Sequence, residues 1–482
     1  MSAWPFTTTQ NAKRASWVAL VLLVGALGLL RWLAPFPSSI LAEDEADPEA
    51  STAGRGEDVP FEVAVGLADA RKRFGEALPT GRGVVMGQVE GGDKGYLPNR
   101  DDNRFRGVTL RARSGASDAS GHATHTAGLI YGRRGLAPGV ETVHHFSVRH
   151  WLSDGYLRMG QPAPPRDEPV RVWSHSWISN GQPGASDKRA PAHALRRVDY
   201  AIDTQGAVMC VGVNNGRTSA VPALLAGAYN TIAVGAANGA SSGRYTQIET
   251  HGRCKPELIA PKSRTSYSTP VVAAFAARLV EMAQGMGEDA PNAARPEVIK
   301  AALLAGAVKP WNWNPEPGKP LDEHLGAGRV HLGHALRIMD AGMQPPGGET
   351  VSARGWDYRA IEREQSRAYH VEVGEDAAGI SVIVTWHRRI NGGVAEQLLT
   401  GQRYWIDAPR LADVDLRVHY TSEDGQSGVI GRSVSDIDNV EHVYIDQPPA
   451  GAYRIEVARK RDAHDEAWTY AVAWRVVEAA EE

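Results

Sequence analysis

The chain contains two stretches of small residues with unusual chemical content, Gly121-His122-Ala123-Thr124-His125-Thr126-Ala127-Gly128 and Thr265-Ser266-Tyr267-Ser268-Thr269-Pro270. Each of them leads into a segment whose small apolar residues favour a helix. A serine hydroxyl is a poor nucleophile until a neighbouring imidazole removes its proton, so acyl transfer needs a histidine and a serine placed in this way. The two stretches therefore predict a catalytic site that contains His122 and Ser266.

These stretches resemble the signatures of the subtilase family of serine peptidases, which read G-H-G-T-H-x-A-G around the histidine and G-T-S-x-A-x-P around the serine. The resemblance implies a serine endopeptidase that works through an acyl-enzyme, with Ser266 as nucleophile and His122 as general base. It also implies a structural role for His125. Ala123 and Arg264 stand where the family has glycine, and the Arg264 departure leaves the local shape of the site open.

The third member of the predicted triad is a glutamate. The segment G-R-G-V-V-M-G-Q-V-E-G-G at positions 81–92 resembles the strand and turn that carry the family aspartate, and Glu90 occupies the place of that aspartate. A glutamate can also accept the imidazole N–H and hold the ring in its useful tautomer. Asp93 is the second candidate for the acid, and a site without any acid is the third possibility.

An oxyanion-binding group is predicted at Asn214. The stretch Val211-Gly212-Val213-Asn214-Asn215-Gly216 follows an apolar strand and resembles the family pattern A-A-G-N-x-G. A preset amide donor at this position would stabilise the negative charge that develops in acyl transfer. Alternatively, both asparagines simply form a turn before Gly216.

A substrate-binding edge is predicted next to it. The residues from Val172 to Ile178 resemble the family stretch V-I-N-M-S-L-G, which implies that Ser176, Trp177 and Ile178 bind an extended peptide as an added strand. Trp177 either forms a wall of the primary specificity pocket or packs into the protein interior. The sequence leaves both interpretations of Trp177 open.

The pattern from about residue 59 to 343 predicts an α/β fold. Its short Val-rich runs lack polar alternation and are separated by helix-like segments, which is typical of a parallel sheet with helices on both faces. The resemblance likewise implies a subtilisin-like fold. The candidate strands are 84–89, 142–148, 170–173, 207–213 and 231–236, and the candidate helices are 122–131, 193–204, 269–284 and 296–307.

A different pattern follows the Pro/Gly-rich stretch 344–348. Period-two strands separated by turn residues predict a C-terminal all-β sandwich or jelly-roll module, similar to those that follow some subtilase catalytic domains. The predicted domains are a linker or short pro-segment at 43–74, a peptidase domain at 75–345 and a β-sandwich domain at 350–482. Because the module is expected to have its own core, a truncated chain of residues 43–348 is predicted to remain active.

The N-terminal residues 1–42 are predicted to be an export signal or a membrane anchor. Lys13 and Arg14 precede an apolar run from Trp17 to Leu30, which is shorter than the roughly 20 residues needed to span a bilayer. If Trp32, Leu33 and Phe36 are included, the apolar run becomes just long enough to span a bilayer. Either alternative predicts a periplasmic or extracellular protein, anchored to the membrane if the segment is retained.

Composition narrows the remaining classes of function. A net charge of -4, without a basic run, argues against nucleic-acid binding. Two cysteines, Cys210 and Cys254, provide neither a disulfide framework nor a cysteine metal cluster. The predicted catalysis requires no cofactor and uses a protein or peptide substrate, and the sequence leaves structural calcium and the oligomeric state open.

The sequence leaves two alternatives to an active peptidase. The changes at Glu90 and Arg264 would suit a catalytically impaired pseudo-peptidase that acts as a binding or scaffold protein of the cell envelope. A general esterase is less well supported, because the chain lacks the G-x-S-x-G motif.

Overall fold

The protein is described by a computed structural model that covers residues 40–41, 59–91, 95–179, 189–398, 400–422 and 424–479. Its helices, in chain order, are α1 (Phe61–Ala64), α2 (Leu67–Phe74), α3 (Gly121–Ile130), α4 (Val148–His150), α5 (Arg189–Gln205), α6 (Thr265–Gln284), α7 (Ala290–Ala293), α8 (Pro296–Ala305) and α9 (Leu332–Asp340). Single helical turns lie at Gly75–Ala77, Asn103–Phe105, Trp151–Gly155, Ala237–Gly239 and Gly287–Asp289.

A seven-stranded sheet forms the centre of the peptidase part, and all its neighbouring strands are parallel. Its strands are β2 (Val85–Glu90), β3 (Thr109–Ala112), β4 (Thr142–Ser147), β5 (Val172–His175), β7 (Val208–Gly212), β8 (Ile232–Gly235) and β11 (Leu258–Ile259). They lie in the order β11-β8-β7-β5-β2-β4-β3. This sheet confirms the α/β fold class.

Both faces of the sheet are covered, because successive side chains of its strands enter two different cores. Val172 and Cys210 point into the core that contains α3 and α6, whereas Trp173 and Val211 point into the core that contains α5. Strands buried on both sides need apolar residues at every position, which explains the missing polar alternation. The carboxyl ends of β2, β5 and β7 meet at one edge of the sheet, where a ligand site is expected.

Shorter strands lie outside the central sheet. The strand β1 (Ile40–Leu41) pairs antiparallel with β6 (Ile178–Ser179), and β9 (Arg244–Tyr245) pairs antiparallel with β10 (Cys254–Lys255). Cys210 and Cys254 are both buried free thiols. The segment predicted as signal or anchor lies outside the described residues, apart from Ile40–Leu41.

The linker predicted for 43–74 does not extend to residue 74. The helices α1 and α2 pack into the peptidase core through Val65, Leu67 and Ala70, and Leu332 N–H at the start of α9 donates to Val65 O at 2.8 Å. Gly66, at φ 69°, lies against the ring of His331, so no side chain would fit there. These contacts place residues 61–74 in the peptidase part; residues 43–58 lie outside the described ranges.

The C-terminal module consists of two sheets that enclose a core of their own, and their neighbouring strands are antiparallel except for the parallel pair of Thr350–Val351 with Ser366–Val373 at one edge of the first sheet. The strands are β12 (Thr350–Val351), β13 (Arg354–Ile361), β14 (Ser366–Val373), β15 (Ala377–Thr385), β16 (Arg389–Glu396), β17 (Arg403–Arg410), β18 (Val414–Thr421), β19 (Ser427–Ser433), β20 (Val440–Asp446), β21 (Gly451–Arg459) and β22 (Trp468–Glu478). The first sheet has the order β12-β14-β21-β18-β19, the second has the order β13-β22-β15-β20, and β16 and β17 form a separate hairpin.

The outer face of the second sheet packs against the peptidase part. The helix α8, whose ten residues are all buried, contacts β15 and β22, while α9 contacts β13. Trp356 of β13 belongs to the same core as α6 and α8, and its indole N–H donates to Met339 O at 3.2 Å. The residues Ser39–Glu482 accordingly form one compact unit.

A buried ion pair network reinforces this interface. Arg388, which follows β15, donates from Nε to Asp199 Oδ2 at 2.7 Å and from Nη1 to Glu249 Oε2 at 2.5 Å. Asn230 bonds the Arg388 backbone at both its N–H and its carbonyl. Removal of one partner from a buried pair costs about 3–5 kcal/mol, because the other charge is left uncompensated.

We therefore expect a truncated chain of residues 43–348 to lose its cooperative fold, contrary to the sequence-based prediction of independence. The cut exposes the buried α8 and leaves Asp199 and Glu249 without Arg388. A total stability of about 5–15 kcal/mol leaves little margin for the exposure of this apolar surface. Near-UV circular dichroism and thermal melting of the truncated and full chains test this. A truncated chain with a cooperative melt and unchanged peptide hydrolysis would contradict it.

Candidate active site

Glu90 and His122 form a buried contact at the carboxyl edge of the central sheet. Glu90 is the last residue of β2, and its Oε2 lies 2.8 Å from His122 Nδ1 in the first turn of α3. The exposed fractions of the two residues are 1% and 4%. Ser120 caps this helix by accepting from Ala123 N–H at 3.1 Å, which fixes the backbone around His122. The longer glutamate side chain thus reaches the ring that the sequence assigned to it.

The second oxygen of Glu90 is held by two donors that the sequence analysis did not identify. Thr126 Oγ1 donates to Glu90 Oε1 at 2.7 Å, and Gln88 Nε2 donates to the same atom at 2.8 Å. Thr126 follows His122 by one helical turn, and Gln88 precedes Glu90 by two residues on the same face of β2. These spacings in the sequence are the pattern from which the two donors could have been identified. The two donors fix the carboxylate so that Oε2 faces His122.

Gln88 is itself oriented by a buried phenol. Tyr131 O–H donates to Gln88 Oε1 at 2.5 Å, so the amide nitrogen must face Glu90. Burial, together with the nearby Glu90, raises the pKa of Tyr131 well above its usual value, which keeps it a donor. Burial also lowers the pKa of His145, whose Nε2 lies 3.3 Å from that phenol oxygen, to about 3. A chain of neutral donors therefore leads to Glu90.

Ser266 is the second residue of α6 and is partly exposed. The helices α3 and α6 pack against each other, and the ring centroids of His122 and Tyr267 lie 6.0 Å apart. The predicted nucleophile and base are therefore carried by the first turns of two neighbouring helices. Ser268 is fully buried and donates to Ala260 O at 3.2 Å, so it packs inside the protein instead of capping the helix.

The two asparagines after β7 have different surroundings. Asn215 Oδ1 accepts from Thr265 N–H at 3.0 Å and so caps the start of α6 from another loop. The backbone of Asn214 is fixed instead, because its N–H donates to Ser242 Oγ at 2.9 Å and its carbonyl accepts from Ser242 N–H at 2.8 Å. Asn215 therefore does more than form a turn. The predicted oxyanion donor Asn214 lies in the same loop, which Asn215 bonds to the helix of Ser266.

Replacement of these asparagines by alanine is expected to separate two roles. Asn214→Ala should lower kcat by roughly 10²–10³ with little change in KM, because an oxyanion donor acts mainly in the transition state. Asn215→Ala should lower stability by about 1 kcal/mol through loss of the cap and reduce kcat less. Steady-state kinetics and thermal melting of both variants measure this. A larger kcat loss in Asn215→Ala would move the donor role to that residue.

The predicted substrate edge lies between β5 and β6. Trp177 is 2% exposed, belongs to the core on the α5 side, and donates from Nε1 to His175 Nδ1 at 3.1 Å. Burial lowers the pKa of His175 to about 3, so its ring is neutral and able to accept. This placement favours the packing interpretation of Trp177. Ser176 and Ile178 are also buried, and Ile178 lies in β6.

Asp93, the second candidate for the acid, lies outside the described residues. A parallel sheet with a carboxylate–imidazole contact at its carboxyl edge suits a hydrolase of the α/β class. Residues 97–328 match the model of the Subtilase family, so the chain contains a subtilase domain, which is the domain of a family of serine-type peptidases. The matched segment includes His122, Asn214 and Ser266 and begins after Glu90.

Solved structures similar to this chain include three peptidases. Fervidolysin from Fervidobacterium pennivorans is 14% identical over 87% of this chain and 77% of its own, with a TM-score of 0.37. MycP1 is 16% identical over 62% of this chain and 93% of its own, with a TM-score of 0.33. Tripeptidyl peptidase 2 is 11% identical over 74% of this chain and 40% of its own, with a TM-score of 0.30. No curated protein matches the sequence.

Within the ranges that the structure describes, none of the helices combines the length and apolar character needed to cross a bilayer.

Proposed function

We propose that this protein is a serine endopeptidase whose triad consists of Ser266, His122 and Glu90. The observation that carries the proposal is the 2.8 Å contact between Glu90 Oε2 and His122 Nδ1. A carboxylate at this distance keeps the proton on Nδ1 and leaves the Nε2 lone pair to accept the proton of the serine. Glu90 thereby takes the role that an aspartate has in the family.

The proposed reaction proceeds through an acyl-enzyme. Ser266 Oγ attacks the scissile carbonyl carbon while His122 Nε2 takes its proton, and the Asn214 amide stabilises the resulting oxyanion. His122 then gives that proton to the leaving amine, the C–N bond breaks, and the acyl group stays on Ser266. Water, deprotonated by His122, hydrolyses the ester and restores the serine. The cycle requires no cofactor.

Substrates are proposed to bind as an added strand at Ile178. Consecutive residues of a strand direct their N–H and C=O groups to opposite sides. Ser179 uses both groups to bond Leu224, at 3.2 and 3.0 Å, so those of Ile178 face the other way. On that side the chain's own Ile40–Leu41 pairs antiparallel with Ile178–Ser179. An edge that accepts this extended segment suits an extended peptide substrate.

Export of the protein is a further part of the proposal. Subtilases are commonly exported, and Lys13 and Arg14 before an apolar run suit a secretion signal or an anchor. We propose a periplasmic or extracellular location, with attachment to the membrane if residues 1–42 are retained. Extracellular proteins or peptides would then be the substrates.

A non-catalytic scaffold role finds less support. It was motivated by Glu90 in place of aspartate and by Arg264 in place of glycine. The argument from Glu90 is weakened, because Glu90 contacts His122 and is itself hydrogen-bonded by Gln88 and Thr126.

Cleavage-site mapping tests the proposed activity. A complex peptide mixture is incubated with the wild-type chain, with Ser266→Ala and with Ser263→Ala, which removes an exposed serine three residues earlier. Mass spectrometry should find new internal cleavages with the wild type and Ser263→Ala but none with Ser266→Ala. Cleavage confined to peptide ends would indicate an exopeptidase, and no cleavage by the wild type would support the scaffold role.

A further inference from the structure

A second cluster of titratable side chains lies where the peptidase part meets the β module. It consists of Asp203 on α5, Glu297 on α8 and His387 in the segment between β15 and β16. His387 Nδ1 lies 3.0 Å from Asp203 Oδ1 and 3.3 Å from Glu297 Oε1. The side chains of Glu297 and His387 are 3% and 6% exposed, whereas that of Asp203 is 28% exposed. The cluster is therefore buried on two sides and reachable by solvent on the third.

The hydrogen bonding of this cluster is incomplete. Glu297 Oε2 is buried and has no hydrogen-bond partner within the described part of the chain. A buried carboxylate oxygen without a partner is costly, which points to a group that the protein residues do not supply. The nearest cation on α8, Lys300, is engaged elsewhere: its Nζ donates to Glu257 Oε1 at 2.8 Å and to Thr231 O at 2.9 Å.

The charge of the cluster is also unbalanced. Two carboxylates facing one imidazolium leave a net charge of about -1 in a largely buried place, and a buried charge without a partner is unfavourable. A divalent cation in place of the Nδ1 proton would balance the two carboxylates and a neutral imidazole. Metal binding of this kind releases one proton from His387.

We propose that Asp203, Glu297 and His387 bind one divalent transition-metal ion of the zinc type. Zinc bonds of about 2.0–2.2 Å in a tetrahedron separate the ligand atoms by roughly 3.4 Å. The two distances from His387 Nδ1, 3.0 and 3.3 Å, are close to this value. An imidazole nitrogen favours zinc over calcium or magnesium, which prefer oxygen ligands alone. Glu297 Oε2 or a water on the exposed side completes the coordination.

The surroundings hold the three ligands in place. Thr385 Oγ1 donates to Glu297 O at 2.9 Å, which ties β15 to α8. Trp468 Nε1 donates to His387 O at 3.0 Å and fixes the backbone of that residue. Because the ligands come from α5, α8 and the β module, the ion would link the two parts of the chain. The proposal does not depend on the catalytic role of Ser266.

Metal binding to the purified full-length chain tests the proposal. The chain is stripped with a chelator, dialysed, and titrated with Zn²⁺; bound zinc is measured by elemental analysis and the melting temperature by differential scanning fluorimetry. We expect one zinc per chain and a melting temperature that rises with free zinc. Co²⁺ in the same site should give the visible absorption of a four-coordinate ion.

Three variants make the test specific. Asp203→Asn, at the most exposed ligand, and His387→Gln should each weaken zinc binding by at least roughly 10–100-fold and abolish the stabilisation. The matched control is His193→Asn, which removes a different histidine–carboxylate pair between α5 and the β module, with Nδ1 2.5 Å from Asp407 Oδ2. This control should bind zinc as the wild type does.

Several results would overturn the proposal. They are absence of saturable zinc binding in the wild type, wild-type affinity in a folded Asp203→Asn chain, loss of binding in His193→Asn, or binding of Ca²⁺ in place of zinc. Asp203→Asn decides the question if His387→Gln fails to fold, because Asp203 lies at the solvent-exposed side of the cluster.

Discussion

Ser266→Ala is expected to reduce kcat for peptide hydrolysis by on the order of 10⁶-fold, with His122→Ala causing a loss of similar size. The serine forms the covalent bond and the histidine moves its proton, so either step fails without both groups. The double variant should therefore lose little more than each single variant. Steady-state kinetics of the three variants, with circular dichroism to verify folding, measure this.

The matched control is Ser263→Ala, which removes the exposed serine three residues earlier and should keep the wild-type rate. Multiplicative losses in the double variant would mean that Ser266 and His122 act independently. Wild-type hydrolysis by Ser266→Ala would transfer the nucleophile to another residue.

Glu90→Gln is expected to lower kcat by on the order of 10³–10⁴ while the fold stays intact. Thr126 and Gln88 both donate to Glu90 Oε1, so the carbonyl of a glutamine at position 90 would face them and its NH₂ would face His122 Nδ1. The ring would then carry its proton on Nε2 and be unable to accept one from Ser266. The acid thus acts through the tautomer of the histidine.

The pH–rate profile and Asp93→Asn serve as checks on this assignment. Because the loss comes from the wrong tautomer, raising the pH should not restore the rate of Glu90→Gln. An unchanged rate in Glu90→Gln together with inactive Asp93→Asn would move the role of the acid to Asp93.

Those parts of the fold that depend on local patterns were predictable from the sequence. The predicted strand 84–89 corresponds to Val85–Glu90 and the predicted strand 231–236 to Ile232–Gly235, because strands buried on both faces are continuous apolar runs. The edge strand Thr109–Ala112 was missed. Its side chains are largely exposed and include Arg111, so it lacks an apolar signal. The helix predicted at 296–307 ends at Ala305, where Gly306 follows.

The candidate site was predictable only where residues belong to motifs. His122, Ser266 and Glu90 could be assigned as candidates because each lies in a short stretch with its own pattern. The positions of Gln88 and Thr126 around Glu90 required knowledge of which faces of β2 and α3 meet. Contacts between distant positions were not predictable at all: Arg388 with Asp199, and His387 with Asp203, join residues that are far apart in the chain.

The interface between the peptidase part and the β module could not be predicted from the sequence either. A change from helical to period-two pattern at 344–348 precedes Thr350–Val351, the first strand of the β module. The pattern cannot indicate that the outer face of the second sheet is also apolar and covers α8. The sequence-based expectation of independence did not include this contact, because the pattern of a strand that is buried inside its module is the same as that of a strand buried against another domain.

Labelling with a fluorophosphonate probe tests the central claim most directly, since the probe bonds only to a serine that a neighbouring base activates. The wild-type chain is treated with the probe, digested and analysed by mass spectrometry to locate the modified residue. The proposed triad predicts a single adduct on Ser266 Oγ, much reduced in His122→Ala and Glu90→Gln. An unlabelled wild-type chain, or an adduct on another serine such as Ser268, would contradict it.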